Sequence, residues 1–539
     1  MFGTVKRGPV FFVGMNFYEQ KWFPYLFILT GLFVHFMGIE AYSIYILDEA
    51  KNAAAAMEMY QNREWVLPTF NGLPRYDKPP LHYHLFIIGY EIFGINAIGA
   101  RFFSAMAGFI CFVLIYFYSN KLFGRKAAFY AGLALLSSIH WQLQFHLAVP
   151  DPFLITFLFL TIISYERYVS TLFKTRYYLY AAALFLAFAT LSKGPVAVVL
   201  IGLTVFFYMV LDKRPIGFHI KQVVNFKALL IYCIISLPWY VLISIQTKGV
   251  WLKEFIFHHN LNRFSSAMEG HGGGALLTLI FVAVGFIPGI AALIPAIIKV
   301  FKSRKPPVII VLALLFTTVT IAFFMVSGTK LPNYTAPVYP FLALMVGWYF
   351  ANLSPGKFKA PSIFACLLIF IIPLTLFLPQ LKHVIPEING LSIWFFIPSI
   401  LGCIGLFLCL YKKYEKSWLL GCLGYICFTG LLFYDALPNI DTKNPVFQSN
   451  NLWVNNNQLY YFRAFNPAFV FNSKQRILSI EDPKYAPKAG DLIITNNKNL
   501  NELEEIGIKA SKVFEGEDLF EGSVTVIMRV YEEELSIRQ

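Results

Sequence analysis

Five charged side chains stand in short polar stretches between long apolar runs, where contact with lipid gives no reason for them. They are Asp48, Lys78, Asp151, Lys193 and Lys330. Lysines in such positions can neutralise a phosphate as point charges, and a carboxylate can act as a general base or hold an acceptor in place. Together these residue types suit chemistry on a lipid-linked phosphate.

Each of these residues also has a simpler interpretation. An acid such as Asp48 that follows an apolar run can be an ordinary interfacial residue, and Asp151, which stands between two prolines, can cap a helix. Lys193 is followed by Gly-Pro, so it can be a lysine that extends its charge to the membrane surface from a turn. The side of the membrane on which each residue lies helps to decide between these interpretations.

The composition indicates a membrane protein with many spans. Of the 539 residues, 57% are hydrophobic and only 14% are charged, whereas a soluble protein has about 25% charged residues. This excludes a disordered chain or a small disulfide scaffold, and it makes a soluble enzyme a poor description. All seven cysteines fall in apolar runs, so the sequence predicts neither a disulfide framework nor a CxxC metal site.

A helix of about 20 apolar residues can cross the bilayer. On that criterion the sequence has thirteen candidate spans, at 22–40, 98–120, 126–148, 151–169, 177–191, 195–211, 226–246, 275–300, 307–327, 334–351, 361–379, 390–411 and 417–437. The first follows Lys6, Arg7 and Lys21, and no small-residue cleavage pattern comes after it, which favours a retained signal anchor.

The distribution of charge gives a topology. The net charge is +14, and 33 of the 44 basic residues lie before residue 440. If the N-terminus is cytoplasmic, 22 of these 33 fall in cytoplasmic loops, as the positive-inside rule requires. The positive-inside rule therefore explains the excess of basic residues, and binding to nucleic acid is not needed to explain it. The thirteen spans then put residues 440–539 outside, and the charged residues named above, from separate loops, all map to that same extracytoplasmic face.

The chain divides into two predicted domains. Residues 1–439 form the membrane domain, with long extracytoplasmic loops at 41–97 and 247–274, and the first loop is long enough to hold helices that lie on the bilayer. Residues 440–539 form a small extracytoplasmic α/β domain, because apolar strand-like runs at 490–495 and 523–528 flank a short helical stretch at 499–508. The fold class is therefore a polytopic α-helical membrane protein with a small α/β domain.

Four motifs in order resemble one family. They read DEAK at 48–51, NGLPRYDKPPL at 71–81, LSKGP at 191–195 and KLPNY at 330–334. This combination is similar to the bacterial aminoarabinose transferases of lipid A and to the wider group like the dolichyl-phosphate-mannose-protein mannosyltransferases, on the GT-C glycosyltransferase fold. The resemblance covers essentially the whole membrane domain.

The resemblance implies an inverting transfer of a sugar from an undecaprenyl-phosphate or similar polyprenyl-phosphate carrier, on the outer face of the bacterial inner membrane, to lipid A, another glycolipid or a protein. It also implies roles for single residues. Asp48 and Asp151 would be the catalytic acids, and the following would bind the carrier phosphate or the donor: Lys78, Lys193, Lys330, Tyr334 and Arg263.

The sequence departs from the family pattern beside Lys78. The aminoarabinose transferases usually have Glu where this chain has Asp77, and a Glu-His pair before the Arg-Phe of the fourth outside loop, where this chain has His258 and His259. A divalent metal such as zinc or manganese, held by Asp77 and one of these histidines, is one possibility. No organic cofactor is expected.

Two other functions stay open at this point. The first is a relative of the protein O-mannosyltransferases, which differs only in its acceptor. The second, from a different class, is a lipid or solute transporter, which should place ionisable groups near the middle of the membrane and often contains paired repeats. This chain places its acids and lysines at helix ends, which favours the glycosyltransferase.

Overall fold

The computed structural model describes residues 17–266, 272–351, 353, 355–378, 390–454, 458–505, 508–519 and 523–531. Lys6 and Arg7, which contribute to the predicted topology, lie outside the described residues. The described part is mostly helical, and one large apolar core runs through the helices of the membrane domain and into the C-terminal domain.

Within the described residues, seven helices are long and apolar enough to cross a membrane: Ala97–Phe123, Asp151–Ser170, Phe226–Gln246, Val308–Val326, Gly356–Thr375, Ile393–Leu410 and Tyr414–Asp441. An eighth span arises if Leu276–Gly285 and Ile290–Lys302, which meet at 111°, are one broken helix. Shorter apolar helices are Phe23–Phe36, Tyr177–Lys193 and Val196–Leu211. The protein is therefore a polytopic helical membrane protein, as predicted.

Every one of the thirteen predicted spans contains helix. The predicted spans at 126–148 and 334–351 hold the shorter helices Arg125–Leu136, Ile139–Phe145 and Tyr339–Ala351. Almost every residue of Tyr339–Ala351 is buried, so this helix lies in the centre of the bundle instead of against lipid. Because several of the helices are too short to span the membrane alone, the count of thirteen and the orientation of the two termini stay predictions.

The first long loop is folded. It contains the helices Leu47–Asn62 and Leu81–Phe93 and a small hairpin, β1 (Thr69–Phe70) with β2 (Leu73–Pro74). The two residues between the strands, Asn71 and Gly72, have φ angles of 53° and 74°. Two successive positive φ angles favour an Asn-Gly pair in a hairpin turn, which is the pair that stands here.

Short elements connect the spans. Outside the long helices of the membrane domain, the structure has the helices Ile216–Val223, Val250–Lys253 and Arg263–Ser265, the π-helix Glu254–Asn262 and the 3-10 helices Phe17–Glu19, Pro332–Val338 and Pro355–Phe358. After the last span come the helices Pro445–Gln448 and Asn450–Trp453.

The C-terminal domain contains the predicted α/β arrangement. Its sheet has the order β4-β3-β5-β7-β6, with the strands β3 (Leu459–Tyr461), β4 (Leu478–Ser479), β5 (Leu492–Asn496), β6 (Ala510–Glu517) and β7 (Val524–Val530). The strand β3 pairs in parallel with β4 and β5, while β7 pairs antiparallel with β5 and β6. The helices are Ala468–Ser473 and Leu500–Glu505. The domain boundary at residue 440 stays a prediction, since the last long helix continues to Asp441.

Candidate active site

Two neighbouring acids at the start of the helix Leu47–Asn62 have different surroundings. Glu49 is fully buried and forms an ion pair with Arg101, at 2.7 Å between Oε1 and Nε. Asp48 is half-buried, and in the part of the chain that the structure describes its carboxylate has no hydrogen bond or ion pair. Glu49 is therefore a structural acid, while Asp48 is available for chemistry.

Arg101 fixes the turn that leads to Asp48. Its Nη1 donates hydrogen bonds of 2.9 Å to the carbonyls of Ile39 and Tyr42, and its Nη2 donates to the carbonyl of Ser43 and to Glu49. With the bond from Nε, all five N–H groups of the guanidinium have an acceptor. The connection between the first span and Asp48 is thus held by a fully paired, buried cation.

Lys193 and Asp151 meet at the ends of two helices. The helix Tyr177–Lys193 ends where Gly194 takes a φ of 79°, so the lysine is its last residue. Its Nζ lies 2.6 Å from Oδ1 of Asp151, the first residue of the preceding helix Asp151–Ser170, and 5.1 Å from the ring centre of Tyr334. Asp151 is 1% exposed. The lysine is therefore held by the acid and faces the aromatic ring.

Arg75 and Asp77 form a second pair in the first loop. Nε and Nη2 of Arg75 donate to the two carboxylate oxygens of Asp77 at 2.6 and 2.8 Å. Burial alone would raise the pKa of this carboxyl, but the charge and hydrogen bonds of Arg75, together with the charge of Lys78, hold the pKa of Asp77 well below its usual range. Asp77 therefore stays ionised at neutral pH.

Lys78 differs from Lys193 and Lys330 in its contacts. It is only 8% exposed, and among the described residues it has no hydrogen bond or ion pair. A buried ammonium without a partner is unfavourable unless an anion completes its surroundings. Lys78 is therefore prepared for a negatively charged ligand.

Electrostatic interactions connect these groups into one site. Lys193 interacts with Lys78 and Asp48 as well as with Asp151. Tyr334 interacts with Arg263 and with Lys78, Asp151 and Asp48. The structure thus brings together residues from separate loops that the sequence assigned to one face of the membrane.

Lys330 is buried and bonded to a backbone carbonyl of its own turn. It is 7% exposed, and its Nζ donates a hydrogen bond of 2.6 Å to the carbonyl of Ser327. In this conformation its charge stabilises the turn before the 3-10 helix Pro332–Val338. A contact with the carrier phosphate stays a prediction for this residue.

The geometry does not fit a metal centre with several protein ligands. Both oxygens of Asp77 are engaged by Arg75, His258 is exposed, and His259 interacts with Asp77 only as one charge among several. Across the described residues there is no group of three or more His, Cys, Asp or Glu side chains that could hold a metal ion. A metal held by Asp77 and one histidine stays a prediction, and the chemistry below does not depend on it.

Buried polar groups near Asp48 were not predicted from the sequence. The buried polar atoms that lack a hydrogen-bond partner in the described part of the chain include those of Asn52, Arg75 (Nη1), His82 and Tyr83. Tyr83 interacts electrostatically with both Arg75 and Asp48, and Asn52 is one helical turn after Asp48. Unsatisfied buried donors and acceptors are rare and unfavourable. A polar ligand would give them partners. The only sequence signal was a cluster of polar residues in the first loop.

Comparisons with known proteins find relatives of this chain. The family model of the dolichyl-phosphate-mannose-protein mannosyltransferases matches residues 77–258. An uncharacterized protein of Aquifex aeolicus is 27% identical over 368 residues, which are 67% of this chain and 81% of that protein. The undecaprenyl phosphate-alpha-4-amino-4-deoxy-L-arabinose arabinosyl transferase of Pseudomonas savastanoi pv. phaseolicola is 25% identical over 67% of this chain and 68% of its own length.

Solved structures share the fold. ArnT from Cupriavidus metallidurans bound to undecaprenyl phosphate superposes with a TM-score of 0.77, at 20% sequence identity, over 94% of this chain and 98% of ArnT. The apo state of the same protein gives a TM-score of 0.78 over 94% and 97%. The similarity extends over almost the whole of both chains, so it includes the C-terminal domain as well as the membrane helices.

Proposed function

We propose that this chain transfers a sugar from undecaprenyl phosphate to lipid A or another envelope acceptor. It is a glycosyltransferase of the GT-C family, which includes the dolichyl-phosphate-mannose-protein mannosyltransferases and the aminoarabinose transferases. Transfer takes place on the extracytoplasmic side of the inner membrane, where the predicted topology puts every residue of the site. The observation that carries the proposal is Lys78, whose buried ammonium has no hydrogen bond or ion pair among the described residues and lies in the same site as the carboxylate of Asp48.

The lysines act on the leaving group. When the acceptor attacks the anomeric carbon from the face opposite the phosphate, the bond between that carbon and the phosphate oxygen breaks, and negative charge grows on the carrier phosphate. Lys78 and Lys193 stabilise that charge. Fixed charges in a site that excludes water are typically worth several kcal/mol in the transition state.

Asp151 has a supporting role in this mechanism. Its carboxylate holds the ammonium of Lys193 at 2.6 Å, and Nδ2 of Asn333 lies 3.5 Å from its other oxygen. A carboxylate that is 1% exposed and already paired orients the lysine for the phosphate. We therefore propose that Asp151 acts through Lys193 and that the carboxylate at the reaction centre is Asp48.

Asp48 acts on the acceptor. If the acceptor is a hydroxyl, its proton passes to the Asp48 carboxylate as the new glycosidic bond forms, and a general base of this kind typically contributes about 100-fold to 10,000-fold. If the acceptor is a phosphate, it is already ionised, and Asp48 orients the acceptor or the donor sugar. The side-chain groups of Asn52, His82 and Tyr83, which lack a hydrogen-bond partner among the described residues, offer hydrogen bonds for the hydroxyl groups of the sugar.

The experiment compares Lys78→Ala with the wild type and with Lys253→Ala, an exposed lysine of the fourth outside loop. Purified protein in nanodiscs is given an undecaprenyl-phosphate sugar and either lipid A or a serine-containing peptide, and the product is identified by mass spectrometry. We expect transfer by the wild type and by Lys253→Ala, and weakened donor binding with little turnover in Lys78→Ala. Transfer to the peptide and not to lipid A would instead identify a protein O-glycosyltransferase. Full activity of Lys78→Ala would refute the phosphate role of this lysine.

A further inference from the structure

The segment that precedes Asp48 lies between the membrane domain and the C-terminal domain. On the side of the membrane helices, Arg101 binds the carbonyls of Ile39, Tyr42 and Ser43, as described above. On the other side, each of the three residues 43, 44 and 45 is bound by the part of the chain after residue 440. Asp48 follows only three residues later.

Asp441 binds the first residue of this segment. Its carboxylate accepts hydrogen bonds from both the backbone N–H and the hydroxyl of Ser43, at 2.8 and 2.5 Å. Nδ2 of Asn444 donates to the same carboxylate at 2.6 Å. Because Arg101 binds the carbonyl of Ser43, every polar group of this serine is engaged. Ser43 is therefore held between the helix that carries Arg101 and the end of the last long helix.

The C-terminal domain also binds the next two residues. Nδ2 of Asn472, in the helix Ala468–Ser473, donates to the carbonyl of Ile44 at 3.0 Å. The hydroxyl of Tyr45 donates to Oδ1 of Asp518 at 3.2 Å and accepts a hydrogen bond of 3.3 Å from the backbone N–H of Leu519. These contacts join residues that are more than 400 positions apart in the sequence.

Asp518 is built into the domain as an acceptor. It is 7% exposed, and besides Tyr45 it accepts hydrogen bonds from the side chains of Asn466, Ser523 and Thr525, at 2.9 to 3.0 Å. Among the described residues it has no cation within ion-pair distance. A buried carboxylate of this kind requires all of its donors, and one of them comes from the segment before Asp48.

A second contact fixes the hairpin turn in the middle of the first loop. The side chain of Asn71, in the hairpin turn, donates to the carbonyl of Ile477 and accepts from its N–H, both at 2.8 Å. Gly72 approaches Arg476 so closely that a Cβ atom would lie 2.6 Å from the guanidinium nitrogen. The loop that carries Asp48, Arg75 and Lys78 is thus bound to the C-terminal domain near its start and at its hairpin turn.

We propose that Asp441, at the end of the last long helix, and Asn472 and Asp518 of the C-terminal domain position Asp48 by holding Ser43 to Tyr45. This inference rests on the proposed function. The domain acts through the first loop and touches neither donor nor acceptor, so Tyr45 and its partners are positioning residues. Their loss leaves donor binding unchanged and lowers turnover, because the Asp48 carboxylate no longer keeps the geometry that transfer requires.

The test uses Tyr45→Phe, which removes only the hydroxyl group, and Tyr45→Phe with Asn472→Ala. Tyr485→Phe is the matched control, because Tyr485 lies in the same domain and its hydroxyl has no hydrogen bond among the described residues. The measurements are turnover, donor affinity and the rate of amide hydrogen exchange in the peptide 43–50, on full-length protein in nanodiscs. Exchange in the helix Val308–Val326 reports whether the fold is intact.

We expect turnover to fall about two- to tenfold in Tyr45→Phe, as for the loss of one hydrogen bond, and further in the double variant. Donor affinity should match the wild type, exchange in the peptide 43–50 should be faster, and exchange in Val308–Val326 should be unchanged. Wild-type exchange in the peptide 43–50 of the double variant, or wild-type turnover despite faster exchange, would overturn the proposal. If the wild type itself transfers no sugar, the proposed function fails, and the exchange rates still decide whether the domain holds the segment.

Discussion

Glu49 offers the sharpest test of how the site is built, because it stands beside Asp48 and has the same chemistry in a different environment. Glu49 accepts three hydrogen bonds, two from Arg101 at 2.7 and 2.8 Å and one from the backbone N–H of Ala148 at 2.8 Å. In Glu49→Gln one carboxylate oxygen becomes an NH2 group that faces a donor, and Arg101 keeps its charge in a fully buried position.

The expected loss follows from this arrangement. Breaking a buried ion pair by removing one charge typically destabilises a protein by about 3 to 5 kcal/mol. A loss of 3 kcal/mol is more than a hundredfold change in the folding equilibrium. Because Arg101 also binds three carbonyls before Asp48, turnover of the fraction that remains folded should fall as well.

The assay is unfolding of the purified protein in detergent mixtures with increasing SDS, followed by tryptophan fluorescence, with sugar transfer measured in parallel. Asp48→Asn is the matched variant. It removes a charge without removing any hydrogen bond of the described structure, so its stability should stay within about 0.5 kcal/mol of the wild type while turnover is lost. Wild-type stability of Glu49→Gln would refute the structural role of this acid, and near wild-type turnover of Asp48→Asn would transfer the role at the reaction centre to another acid.

Three other predictions concern the lysines, the topology and the metal. Lys193→Ala should lose both turnover and stability, because it leaves the buried carboxylate of Asp151 without its ion pair. Lys78→Ala should lose turnover without a change in the free energy of unfolding. Equal stability of the two variants would contradict the ion pair between Lys193 and Asp151. A reporter fused after residue 539 should give an extracytoplasmic signal, and a cytoplasmic signal would reverse the face on which the site lies. Turnover should be the same with and without a chelator, because Arg75 engages both oxygens of Asp77; a loss that zinc or manganese restores would establish the metal.

The sequence predicted those parts of the site that depend on single residues next to apolar runs. A charge that follows a span lies at a membrane surface, so the position of Asp48, Lys78 and Lys193 on one face followed from hydropathy and the distribution of lysine and arginine. The α/β character of the C-terminal domain followed in the same way from apolar runs, although the strands β3, β4 and β6 were not predicted.

Pairing could not be predicted, because it depends on which helices become neighbours. Arg101 lies in the predicted span 98–120, and a charge inside a span indicates a buried partner. Nothing in the neighbouring sequence identifies that partner as Glu49. Asp77 was considered as a metal ligand because of its residue type, but the backbone turns it towards Arg75, two residues before it. The contact between Lys330 and the carbonyl of Ser327 also depends on a turn that has no clear sequence signature.

The alanines of the helix Leu47–Asn62 have a consequence for any map of mutational tolerance. Ala50, Ala53, Ala54, Ala55 and Ala56 are all completely buried, and a larger side chain at such a position overpacks the core by about 1 to 3 kcal/mol. A saturation library would therefore find these positions as intolerant as Asp48, although they touch no substrate. Sorting the variants by the amount of protein in the membrane would separate the two groups, since the alanine variants should be depleted and the Asp48 variants should not.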